Sequence, residues 1–149
     1  MTTRIGKRKV ARARETLSRS GLVTDWELSV HAWSTKEDAG GHWKRTDGLH
    51  LTVRGEFTED VSGVTKFDFL IYPEADIDAR RSTIPFVGSF LRCKPILEAA
   101  VTLSESHFNA MVSAAVAGKL GALQVAFEKL RYGSGPISSM LLSTSKEIE

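Results

Sequence analysis

Between residues 26 and 71 the apolar side chains recur at every second position in three separate runs, a period that selects β-strands over amphipathic helices. Trp26, Leu28, Val30 and Ala32 make the first run, Leu49, Leu51, Val53 and Phe57 the second, and Phe67, Phe69 and Ile71 the third. Each run places its apolar set on one face, as a half-buried strand requires. The stretches between them carry turn chemistry. Residues 36–41 are polar and end in Gly40 and Gly41, and residues 58–63 end in Gly63. Glycine supplies the positive φ that tight reversals need. The expectation is a meander of three antiparallel strands, the first two joined by a long loop.

Downstream the pattern breaks and then returns. Pro73, Pro85 and Pro95 interrupt residues 73–96, where residues 76–80 have the makings of a short strand and residues 84–91 are apolar without a period. Leu97, Ala99, Val101 and Leu103 then alternate as a strand. Ser104 is a helix N-cap, and Glu105 is an acid in the first turn, where the helix dipole favours it. Phe108, Met111, Val112, Ala115 and Val116 form a helical stripe, and Gly118 is placed to end it. Leu123, Val125 and Phe127 make a further strand, residues 133–136 a turn, and residues 137–143 a last strand before a short charged tail. The fold class expected is mainly β: an antiparallel sandwich or barrel of six to seven strands with one short helix over about 104–117. An α+β two-layer arrangement is the alternative.

A chain of 149 residues is long enough to bury about 70% of its unfolded surface in one core. The lone Cys93 excludes an intramolecular disulfide framework and a cysteine-rich zinc site, and fits a reducing compartment. No run approaches the roughly 18 apolar residues of a membrane span. The basic leader does not continue into the apolar region of a secretory signal, because Gly21, Leu22 and Val23 are followed at once by Thr24 and Asp25. Its Arg-rich, acid-poor composition overlaps with organelle transit peptides, but a cytoplasmic location is the expectation.

Charge divides the chain in two. Residues 1–20 hold seven of its 20 basic side chains and one of its 18 acids, so the overall net charge of +2 joins a strongly basic arm to a mildly acidic body. Residues 1–20 therefore read as an arm, flexible or helical on binding, and residues 21–149 as one β-rich domain. Val10, Ala13 and Leu17 share one helical face, a stripe too thin to hold a helix without a partner. Arg4, Lys7, Arg8, Lys9, Arg12 and Arg14 are the candidate contacts to nucleic acid or another acidic surface, which would give salt-dependent, sequence-independent binding.

Motifs with chemistry are sparse. Parity puts His31 and His50 on the same face of the first hairpin, about one cross-strand step apart, with His42 near the loop tip. Two imidazoles without a cysteine leave a zinc site short of ligands, so no metal and no cofactor is expected. Ser134 lies between Gly133 and Gly135 but lacks the frame of a nucleophile elbow, and Pro136 favours a plain turn. Cys93 sits between Arg92 and Lys94, neighbours that lower a thiol pKa, yet a half-buried loop cysteine is the simpler reading. Glu74, Asp76 and Asp78 lack the glycine and distal glutamate of a calcium loop. No phosphate-binding glycine motif is present.

One more segment stands out. Ile84, Phe86, Val87, Phe90 and Leu91, flanked by Arg80, Arg81, Arg92 and Lys94, form an apolar stretch rimmed by charge, a pattern of partner loops and pocket lids. Together these features point to an interaction or accessory protein, a β domain docking a protein partner while the basic arm touches nucleic acid or an acidic surface. A coat-like assembly subunit, its arm facing nucleic acid, is one alternative. A β-barrel holding a small ligand, or an enzyme using Trp26, Trp33 and Trp43 to line its site, is the other.

Overall fold

The computed structural model describes residues 15–75 and 85–147. Seven strands and one helix follow in the order β1 (Thr16–Lys36), β2 (Trp43–Val61), β3 (Val64–Glu74), β4 (Gly88–Arg92), β5 (Leu97–Ser104), α1 (Glu105–Val116), β6 (Ala122–Glu128) and β7 (Gly135–Ser143). The strands close into a barrel in the order β1-β2-β3-β5-β4-β7-β6. The meander β1-β2-β3 is antiparallel as the alternation requires. One pair departs from the antiparallel expectation. β5 runs parallel to β3, from Phe67 against Leu97 to Glu74 against Ser104, and β4 lies on its far side.

Alternation becomes burial directly. Leu51, Val53 and Phe57 of β2, Phe67, Phe69 and Ile71 of β3, Leu97, Ala99 and Val101 of β5, and Leu123, Val125 and Phe127 of β6 are all buried. Five phenylalanines cross the interior in contact. Phe57 and Phe67 have ring centroids 4.5 Å apart, Phe67 and Phe69 5.5 Å, Phe69 and Phe90 5.7 Å, and Phe90 and Phe127 4.9 Å. These are tilted and edge-to-face arrangements, which suit the ring quadrupole. The barrel interior is thus filled with side chains.

Helix α1 follows β5 without a loop. Ser104 is its N-cap, its Oγ accepting from the His107 backbone N–H at 3.3 Å. The chain leaves the helix through Gly118 at φ +68°, a conformation glycine adopts without cost. Phe108 and Ala115 are buried, Met111 and Val112 lie against the core margin, and Val116 faces solvent. Since Ser104 is itself buried, Ser104→Ala is expected to cost about 1 kcal/mol, read as a lower urea midpoint with an unchanged slope.

Two sequence expectations need correction. Thr16–Ser20 were assigned to the arm, but β1 begins at Thr16 and pairs with β6 from Thr16 against Glu128 to Leu22 against Ala122. Leu17 packs against the barrel core, not along a helical stripe. Within the segment 84–91, expected as a loop, Gly88 onward belongs to strand β4 (Gly88–Arg92), held between β5 and β7. Of the candidate helix over residues 4–19, residues 4–14 lie outside the described residues, as do the short strand over 76–80 and the acids Asp76 and Asp78, while Thr16–Arg19 are strand. No helix among the described residues is long and apolar enough to cross a membrane.

Candidate interaction surfaces

The longest strands make the most exposed surface. β1 pairs with β6 only as far as Leu22, and β2 pairs with β3 only from Leu51 onward. Beyond those points, among the described residues, the two strands pair only with each other, down to Lys36 against Trp43. The result is a two-stranded ribbon running off the barrel wall. At its tip the Glu37 N–H donates to the His42 carbonyl oxygen, and His42 Nδ1 lies 3.0 Å from Asp38 Oδ2. The hydrogen bond from the His42 side chain holds the Asp38 carboxyl below its ordinary pKa.

The two faces of the ribbon differ. Leu28, Val30 and Leu49 continue the face that inside the barrel carries Val53 and Leu51, but off the barrel the cover runs out and Val30 is 74% exposed. Trp43, farther along the same face, is 63% exposed. The opposite face carries His31, His50 and Trp33. His31 Nε2 and His50 Nδ1 are 3.1 Å apart, with the rings stacked at 5.0 Å. His50 also rests on Tyr72 of β3, centroids 5.3 Å apart, while Trp33 meets His31 edge-on at 6.4 Å. Partial burial, then the like charge of His31, keeps the His50 pKa below its ordinary value against the pull of Glu27. Next to this stack Arg54 reaches Glu27 at 2.9 Å, Asp25 at 3.6 Å and Asp68 at 3.7 Å. The hydrogen bond to Glu27, with the surrounding carboxylates, raises the guanidinium pKa.

A second surface gathers where β1 begins. The Lys129 N–H donates to the Glu15 carbonyl oxygen at 2.8 Å, which ties the start of the described chain to the end of β6. Immediately beyond, residues 131–134 form a tight turn in which Arg131 and Ser134 exchange backbone hydrogen bonds and Tyr132, at φ +53°, projects fully into solvent. Gly133 of that turn approaches Cys93, the residue between Arg92 and Lys94. The Lys94, Lys129 and Arg131 side chains are exposed, and Arg92 pairs with Glu98 at 3.4 Å. The described chain therefore begins, at Glu15, near an exposed tyrosine and several cations.

The remaining candidates take these places. Phe90 is fully buried among the interior phenylalanines, Phe86 is half-buried, and Val87, just before β4, and Leu91, within it, are exposed. Ile84 and the six arm cations Arg4, Lys7, Arg8, Lys9, Arg12 and Arg14 lie outside the described residues. Ser134 is a turn residue whose hydroxyl donates to the Arg131 carbonyl at 3.3 Å. Cys93 is half-buried. Trp26 packs at the core margin. Among the described residues no group of three or more His, Cys, Asp or Glu side chains is placed to hold a metal ion. A groove of about 460 Å³ runs between α1 and β7, lined by His107, Met111, Ala114, Leu120 and Met140 among others.

Sequence reasoning found the His31–His50 pair but not Tyr72 beneath it or the Arg54 cluster beside it. The signal was the β2–β3 register. Pairing Leu51 with Ile71 sets His50 opposite Tyr72, and no local pattern fixes that register. Comparison of the chain with known protein families, curated proteins and solved structures returns no match, so the functional reading rests on these residues alone.

Proposed function

We propose that the protein is an interaction module in which the barrel docks a protein partner and the basic N-terminal segment grips nucleic acid or a similarly acidic surface. The observation that supports this reading is the set of exposed cations and Tyr132 near the point where the described chain begins. The segment rich in arginine and lysine joins the fold at Glu15, beside Lys129 and the Arg131–Tyr132 turn. Cations followed by a solvent-exposed aromatic ring suit a phosphate backbone and a stacking base. The ribbon supports the docking half of the proposal, since exposed apolar groups such as Val30 and Trp43 gain from being covered by a partner. The interior, filled by phenylalanines, leaves a ligand or partner the outside of the barrel.

The test titrates the full chain with random duplex DNA and single-stranded RNA across a salt series. A second protein carries Arg4, Lys7, Arg8, Lys9, Arg12 and Arg14 exchanged for glutamine. Six phosphate contacts would give a log–log salt slope steeper by about five, so the exchanged protein should bind more weakly on every sequence and with a much flatter slope. Equal affinity and equal slope in the two proteins would remove the segment as the contact surface and with it this reading.

A further inference from the structure

We propose that His31 and His50 form a two-histidine site for a divalent copper or zinc ion on the outer face of the ribbon, an ion that would staple β1 to β2. Two imidazole nitrogens bound to one ion at about 2.0–2.1 Å, with an angle between square and tetrahedral, stand about 2.9–3.4 Å apart. His31 Nε2 and His50 Nδ1 are 3.1 Å apart. That spacing is a hydrogen bond between the two rings, and an ion taking its place, with the bridging ring proton released to water, would find one edge of its coordination shell already spanned.

The strand register creates this spacing. Ser29 opposes His50 and His31 opposes Gly48, so the two histidines are diagonal neighbours on one face. Position 48 carries no side chain. A Cβ there would meet His31 Cδ2 at 3.3 Å and the Trp33 ring at 3.4 Å, and its absence lets both rings lie down over the β2 backbone. Tyr72 supports His50, and Trp33 flanks His31. The aromatic neighbours limit the rotation of both imidazoles, which reduces the ordering cost of binding. Glu27, the nearby carboxylate, is engaged by Arg54 at 2.9 Å, so water would complete the shell from the solvent side.

The donor set selects the ion. Neutral imidazoles suit copper, nickel and zinc and disfavour calcium and magnesium, and copper stands highest in the affinity order. His50 directly precedes Leu51, the first residue of β2 paired with β3. An ion held here would clamp the ribbon where it leaves the barrel and set how stiffly Val30 and Trp43 are presented. The site does not depend on what the ribbon docks.

The experiment titrates the full chain with Cu(II) alone, and separately with Zn(II) alone, by calorimetry. Trp fluorescence and the Cu(II) electron paramagnetic resonance spectrum are followed in parallel. The expected result is one saturable site with nitrogen hyperfine structure and quenching of Trp33. His31→Ala and His50→Ala should each weaken binding on the order of 100-fold, because each removes one arm of a chelate. Trp33→Phe should remove the quenching and keep the binding. His42→Ala, at the tip beside Asp38, and His107→Ala, on α1, should bind as the parent does. Absence of saturable binding, loss in only one of the two histidine variants, or loss with His42→Ala or His107→Ala would each overturn the site.

Discussion

Phe69→Ala is expected to destabilise the barrel by about 3–5 kcal/mol, the range for truncating a buried aromatic side chain. Phe69 is fully buried, and its ring meets Phe57, Phe67 and Phe90, with centroids 6.3, 5.5 and 5.7 Å away. Among the described residues its ring links the β2–β3 side of the interior to β4. Removing it forfeits the transfer energy of the ring and leaves a cavity whose walls are held by strands paired on both sides. Those walls have little freedom to collapse, which places the cost high in the range. Set against a typical total of about 5–15 kcal/mol, the loss is a large share of the fold's stability. Urea denaturation followed by far-ultraviolet circular dichroism measures it. Phe69→Leu, which keeps most of the volume, should recover the greater part, and a loss below about 1 kcal/mol in the alanine variant would show that the interior repacks freely.

Gly55→Ala should be nearly as damaging for the opposite reason. Gly55 faces the barrel interior between β1 and β3, paired with Val23 on one side and Phe67 on the other. A Cβ at this position would overlap the Leu22 carbonyl oxygen and come within 2.6 Å of the Phe67 ring Cζ and 3.0 Å of the Leu22 carbonyl carbon. Replacing glycine in a strand normally gains about 0.4–1 kcal/mol from the unfolded state. Here the overlap is with backbone, which cannot rotate away, and overpacking typically costs about 1–3 kcal/mol, here at the upper end. The clash therefore wins. The register shift between Val23 and Asp25 lies next to this contact, so the strain should show first as faster amide exchange in β1 around residues 22–25. An alanine variant as stable as the parent would mean that β1 shifts off β2 at little cost.

Much of the barrel was legible because its signals are local. Alternating Leu51, Val53 and Phe57 gave β2, and Ser104 followed by Glu105 gave the start of α1, each from a few consecutive residues. What was not legible depends on distant partners. The first residues of β1 carry Leu17 and Arg19, which fit a helical face as well as a strand. Only β6, about a hundred residues later, decides between them. β4 is short, and Phe90 is its only buried residue, too little for a period to appear. The parallel pairing of β3 with β5 follows from a crossover that no hairpin pattern announces. The same division holds for the candidate site. The histidine pair came from parity within one hairpin, while Tyr72 and Asp68 arrive from a third strand whose register sequence alone does not set.

The closure of the ring between its first strand and its sixth has a consequence for the protein during synthesis. A ribosome delivers β1, β2 and β3 well before β6, and the meander can assemble at once. Residues 16–20, however, precede the start of β1–β2 ladder pairing at Gly21; Arg19 and Ser20 reach β2 through side-chain hydrogen bonds, but the backbone ladder of this stretch is made with β6. Until residue 128 has emerged, that edge offers unpaired amides to any passing strand, including the same stretch of a neighbouring nascent chain. The dense positive charge just ahead of it, Lys7, Arg8, Lys9, Arg12 and Arg14, makes two such edges repel each other. The charge proposed above to grip a polyanion would also guard the unfinished barrel against its own copies.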